Sequence, residues 1–129
     1  MRIRLNSIFV DDQEKALRFY TDVLGFTKKH DIPAGAARWI TVVSPEGPDD
    51  LELVLEPNGH PAASAYQAAL RQDGIPVTAF ESADIHAEAR RLKDRGVAFT
   101  IDPTPAGPAT IAIFSDTCGN LIQLYQVER

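Results

Sequence analysis

The spacing of apolar positions divides the chain into short strands and a few amphipathic helices. Residues 2–10 carry β-branched and aromatic side chains in partial alternation, which predicts a strand, and the run closes at Asp11 and Asp12, whose carboxylates can cap a helix start. Ala16, Leu17, Tyr20, Val23 and Leu24 then recur at three- and four-residue intervals, predicting a helix over residues 13–24 with one buried stripe and Gly25 as its stop. Residues 26–32, 38–43 and 51–56 read as three further strands, separated by turn clusters at 33–35 and 44–50. The first half is therefore β-α-β-β-β.

The second half repeats the order. Residues 77–82 read as a strand, 85–94 as a helix stopped by Gly96, and 97–101, 110–114 and 121–126 as strands. Superposing the halves brings Gly25 onto Gly96 and the triplet Leu51-Glu52-Leu53 onto Ile122-Gln123-Leu124, both at an offset of about 71 positions, so the chain contains an internal repeat. Module one spans about residues 2–56 and module two about 76–127, within a single domain covering 1–129. The connector, 57–75, holds Asn58-Gly59, Pro61 and a short helix over 62–72, with Ala65, Ala69 and Leu70 in helical register.

One helix covers only one face of a four-stranded sheet, so a lone module leaves the other face open. If each helix covers the outer face of its own sheet, the two inner faces line a concave and mostly apolar surface, the usual setting for a ligand. Alternation places Leu51, Leu53 and Leu55 against the helix, and Glu52, Val54 and Glu56 on the inner face. In the last strand it separates Ile122 and Leu124 from Leu121, Gln123 and Tyr125, so that Gln123 is the repeat partner of Glu52. A carboxylate in such a place needs a donor, a metal or water. The plainer alternative is that Glu52 sits in a wet groove or meets a neighbouring subunit.

Bulk properties narrow the function classes. With 13 Lys and Arg against 18 Asp and Glu among 129 residues, and the basic residues scattered, there is no positive field for nucleic acid. The single cysteine, Cys118, makes no intramolecular disulfide, and a reducing cytoplasmic location is the expectation. No apolar run has the length of a signal core or a membrane span, so neither export nor a membrane partner is expected.

Other candidates carry competing readings. His30, His60 and His86 have polar surroundings and form no ligand motif, so each is expected at the surface, although His60 could lie at a pocket mouth. Cys118 sits in the tight turn 116–120 with no His and acid pattern to activate it, which favours a structural thiol over a nucleophile. Trp39 alternates with Thr41 and Val43 and is open to either pocket wall or core. Tyr66, on the connector helix, caps a ligand or covers apolar surface. Tyr125 shares a face with Gln123, where its hydroxyl is a candidate polar contact. Arg38 either meets an anion or is solvated.

Two segments carry a family resemblance. Phe19-Tyr20-Thr21-Asp22-Val23-Leu24-Gly25-Phe26 and Asp116-Thr117-Cys118-Gly119-Asn120-Leu121-Ile122-Gln123-Leu124 resemble the signature segments of the vicinal oxygen chelate superfamily, which includes glyoxalase I, extradiol dioxygenases and bleomycin-resistance proteins. The resemblance implies an α+β fold of two βαβββ modules, a curved mixed sheet around a cleft, and homodimerisation. In the superfamily's metalloenzymes, His or Glu from the first and fourth strands of each half hold a divalent metal. Carried over, those positions fall at Leu5, Glu52, Val77 and Gln123, and moving the first by a residue gives only Asn6 or Ser7. Leu and Val offer no donor and an amide is a poor one, so the chain departs from the metal pattern at three of four positions and a divalent cofactor is disfavoured.

The resulting expectation is a metal-independent small-molecule-binding protein, with Glu52 and Gln123 as polar contacts and aromatic walls from Trp39, Tyr66 or Tyr125. The alternatives are a glyoxalase-type lyase or isomerase, or a dioxygenase-like enzyme, in which Glu52 is the catalytic base with its pKa raised by an apolar cleft, and a resistance protein whose dimer sequesters a cationic drug between acidic walls.

Overall fold

A computed structural model describes residues 1–128 of the chain. The element order is β1 (Leu5–Val10), α1 (Gln13–Arg18), a π-helical turn (Phe19–Val23), β2 (Thr27–Ala34), β3 (Ala37–Val43), β4 (Glu52–Pro57), α2 (Pro61–Gln72), β5 (Thr78–Glu81), α3 (Ile85–Asp94), β6 (Phe99–Ala106), β7 (Ala109–Ser115) and β8 (Leu121–Val127). The β-α-β-β-β pattern and its repeat are present as the hydrophobic spacing indicates. The chain divides into two compact units, one spanning Met1–Tyr66 and the other beginning at Gln67, so the boundary along the sequence falls in α2.

In the first unit the strand order is β1-β4-β3-β2, with β1 parallel to β4 and the remaining pairs antiparallel. Ile8, Val10, Ile40, Val42 and Leu55, all at most 6% exposed, fall on one face by alternation. The apolar centre of that face takes the buried stripe of α1, Ala16 and Leu17, with Tyr20 of the π-turn. Asp12 caps the helix by accepting from the Lys15 amide at 2.9 Å. Gln13 fastens the helix start to the sheet: its Nε2 donates to the Arg38 and Leu55 carbonyls at 2.6 and 2.9 Å, and its Oε1 accepts from the Arg38 amide at 3.0 Å.

The second unit has the equivalent order β5-β8-β7-β6, with β5 parallel to β8. Ala112, Phe114, Ile122 and Leu124 form its apolar face under Ile85, Ala89 and Leu92 of α3. Asp84 caps α3 through the Ala87 amide at 3.1 Å, as Asp12 caps α1. From capping aspartate to stopping glycine, however, the first helix runs from 12 to 25 and the second only from 84 to 96. The π-turn, in which the Leu24 amide donates to the Phe19 carbonyl at 3.0 Å, absorbs that one extra residue. Gly25 and Gly96 then take the same left-handed conformation, with φ of 90° and 86°.

Two expectations need adjustment. Residues 2–4 precede β1 instead of belonging to it, and Leu51 precedes β4 and is 44% exposed, so only Leu53 and Leu55 take the helix-facing role.

Candidate functional site

The polar chemistry of the first unit collects on the face of its sheet opposite α1. Glu52 opens β4 beside Leu5 of β1, and its side chain is only 11% exposed. Fully buried Thr41 donates its hydroxyl to Glu52 Oε1 at 2.7 Å. His30 Nε2 lies 3.6 Å from the same oxygen, and Lys29 Nζ lies 3.6 Å from Oε2. Lys29 is itself steadied by donating to the Asp49 carbonyl at 2.5 Å. The Thr41 hydrogen bond, with help from the Lys29 and His30 charges, outweighs burial and lowers the Glu52 pKa below its ordinary value. Glu52 is thus an ionised, well-held carboxylate, the reverse of the raised pKa that a general base in an apolar cleft would need.

His30, expected at the surface, belongs to this cluster, and Lys29 and Thr41 were not anticipated there at all. The reason lies in β2: Lys28 pairs with Val42 and His30 with Thr41, leaving Lys29 as an extra residue in a β-bulge. Alternation read from sequence puts Lys29 and His30 on opposite faces, and only the bulge lets both reach one carboxylate. A His two strands from an acid, opposite a Thr, was the available hint.

Trp39 is half-buried and shares the alternation of Thr41, so it lies on the Glu52 face and not in the core under α1. Ile32, 51% exposed, pairs opposite it. Arg38 makes a two-pronged bond to Asp31, at 3.0 and 2.7 Å, and reaches Glu14 at 3.0 Å. That guanidinium holds the Asp31 carboxyl below its ordinary pKa.

Tyr66 is elsewhere in the same unit. With Phe9, His60, Ala62 and Ala63 it lines a shallow hollow of about 260 Å³ at the start of α2. Phe9 pairs with Glu56, four residues along β1 from Leu5, so this hollow lies about 13 Å along the strand from the Glu52 end. His60 caps α2, its Nδ1 accepting from the Ala62 amide at 3.0 Å.

In the second unit Gln123 is half-buried between Ala79 of β5 and Ile113 of β7, and Tyr125 follows on the same face opposite Glu81 and Ile111. The strand neighbour of Gln123 is therefore Ala79 and not Val77, because the paired residue lies five positions before the Asp84 cap where Leu5 lies seven before Asp12. The change leaves the donor chemistry as poor as before. Leu5 beside Glu52 and Ala79 beside Gln123 supply one carboxylate and one amide, a set that does not fit a divalent ion. No group of three His, Cys, Asp or Glu side chains suited to a metal occurs among the described residues.

The signature segment around Cys118 serves structure. Asp116, fully buried, accepts from the Cys118 and Asn120 amides at 2.7 and 3.0 Å and from Asn120 Nδ2 at 2.7 Å. Gln67 Nε2 donates to Asn120 Oδ1 and to the Cys118 carbonyl, both at 3.0 Å. A side chain on Gly119 would meet the Gln67 amide at 2.7 Å. No helix among the described residues is long and apolar enough to cross a membrane.

Comparison with known proteins places this geometry in a family. An uncharacterised protein of Bacillus subtilis (strain 168), YurT, is 57% identical over 126 residues, covering 98% of this chain and 99% of that one. The crystal structure of UcmS2 shares 31% identity over 97% of each chain with a TM-score of 0.83. TnmS3, an antibiotic-binding protein from Streptomyces sp. CB03234, shares 30% identity over 99% of this chain and 97% of its own, with a TM-score of 0.76. The family model for the Glyoxalase/Bleomycin resistance protein/Dioxygenase superfamily matches residues 2–124, and with the paired β-α-β-β-β units it establishes that the chain belongs to that superfamily.

Proposed function

We propose that the protein binds a small, largely apolar molecule without a metal, and that the Glu52 carboxylate orients it. The observation that carries this reading is a nearly buried, ionised acid on the sheet face opposite α1, fixed by Thr41 and beside the apolar Leu5, with Trp39 further along the same face. The antibiotic-binding role of TnmS3, at 30% identity over almost the whole chain, supports binding over catalysis. The donor set and the lowered Glu52 pKa weigh against the lyase and dioxygenase readings.

Trp39, the only tryptophan, is a built-in reporter. Titrating purified protein with a panel of aromatic antibiotics should change its emission saturably, and Glu52→Ala should weaken binding about ten-fold, the effect of releasing the Lys29 and His30 side chains that the carboxylate holds in place. A flat emission trace with every compound would refute the reading. Gln123, Tyr125 and Tyr66 are proposed as further contacts, each open to the same titration after substitution by Ala. A cytoplasmic homodimer is the proposed form, and light scattering on the purified chain reads its mass.

A further inference from the structure

The bulge in β2 makes a prediction about the ligand's chemistry. In an unbroken strand Lys29 and His30 would point to opposite faces, and the extra residue brings both to one carboxylate. Exposure rises in steps across the cluster: Thr41 is fully buried, and the side chains of Glu52, Lys29 and His30 are 11%, 31% and 42% exposed. A molecule approaching this face therefore meets the ammonium and the imidazole before it meets the carboxylate.

The charges point the same way. Glu52 is ionised and Lys29 balances it, so the cluster is neutral with His30 uncharged and positive with His30 protonated; it is not negative at neutral pH. A cationic ligand would face Lys29 and find Glu52 already supplied with donors. An anionic oxygen instead finds donors: the ammonium carries three N–H groups, of which one goes to the Asp49 carbonyl and one is directed at Glu52, leaving the third, and the imidazole adds its Nδ1–H when protonated, its Nε2 being turned to Glu52. Beside them on the same face, Leu5 and Ile32 are 49% and 51% exposed and Trp39 is half-buried, which suits an apolar ring or chain.

We infer that Lys29 and His30 form the head-group site for an apolar organic acid, a carboxylate or phenolate borne on a ring or chain, with Glu52 as the positioning counter-charge that holds the pair. The inference rests on the reading of this face as the ligand-binding one and names the class of ligand it takes.

Calorimetric titration with three probes of one shape, 1-naphthoate, 1-naphthamide and 1-naphthylmethylammonium, tests it at neutral pH and low salt. The expected order is naphthoate at least ten-fold tighter than the amide, with the ammonium weakest. Lys29→Met should abolish the preference for naphthoate without weakening the amide, and Lys29→Arg, which keeps the charge should the Met variant fold poorly, should preserve it. Equal affinities, or tightest binding of the ammonium, would overturn the acid-binding inference and leave the face as a binding surface. No heat from any probe, together with unchanged Trp39 emission, would overturn both.

Discussion

The two halves share a scaffold and divide its chemistry unequally. Position for position, the first half places Lys29 and His30 in its bulge, Thr41 on β3 and Glu52 on β4, whereas the second places Thr100 and Ile101 in the matching bulge of β6, Ile113 on β7 and Gln123 on β8. One cluster is charged and the other is an amide among isoleucines. The investment reverses at the loops that follow β3 and β7. In the second half, five residues between β7 and β8 hold the buried Asp116–Asn120–Gln67 network, while the longer loop between β3 and β4 is mostly exposed and lends its Asp49 and Asp50 carbonyls to Lys29 and Arg4. A duplicated unit can thus specialise, one copy keeping reactive polarity on its sheet face and the other spending buried polarity on rigidity.

Substitutions can break this contrast, the loop network most severely. Asp116→Ala orphans two amides and the Asn120 side chain, and should cost about 3 kcal/mol, lowering the thermal midpoint by roughly 10 °C, whereas Ser44→Ala in the exposed first loop should cost under about 0.5 kcal/mol. Thermal and urea unfolding of both variants checks the pair. Gly119→Ala, at φ 100° and 2.7 Å from the Gln67 amide, should cost about 2 kcal/mol. Were it neutral in urea unfolding, the close approach of Gln67 would not be real.

Smaller effects sharpen the other side of the comparison. Thr41→Val keeps the shape, removes the hydroxyl from Glu52 and should cost about 1 kcal/mol while moving the Glu52 pKa back up, which carboxyl-labelled NMR titration can follow. Glu52→Gln imitates the second half. Because folding lowers the Glu52 pKa, its charge stabilises the fold above the unfolded-state value and that contribution is lost as pH falls through the lower folded-state value. The wild type should therefore exceed Glu52→Gln by about 0.5 kcal/mol at pH 7, and the difference should vanish on acidification well below the ordinary glutamate pKa of 4.5, as read from urea unfolding across pH. A gap that persists at low pH would point to packing and not to charge.

Much of the fold was legible because it follows from period. The three- and four-residue stripes gave α1 and α3, the glycines at 25 and 96 gave their stops, and alternation put Glu52 and Gln123 on the non-helical faces of their sheets. What escaped are departures from period. The π-turn adds a residue to the first helix, a spacing to the Asp84 cap two residues shorter moves the partner of Gln123 from Val77 to Ala79, and the bulge redirects Lys29. Each is a single- or double-residue shift whose local residues look ordinary, so nothing in composition marks it. The Glu52 pairing with His30 was hidden for the same reason, since it depends on register between strands that are not adjacent in sequence.

The strand order gives the bulges a further meaning for assembly. β2 and β6 form the outer border of their sheets, where unpaired amides and carbonyls could recruit a foreign strand, and both are interrupted: β2 by its bulge and Pro33, β6 by two register shifts and the prolines at 103 and 105. The opposite borders, β1 and β5, carry neither proline nor bulge. Sheet growth by addition of another chain is therefore discouraged at β2 and at β6, so the kink that aims Lys29 and His30 also guards that edge against runaway strand-to-strand polymerisation.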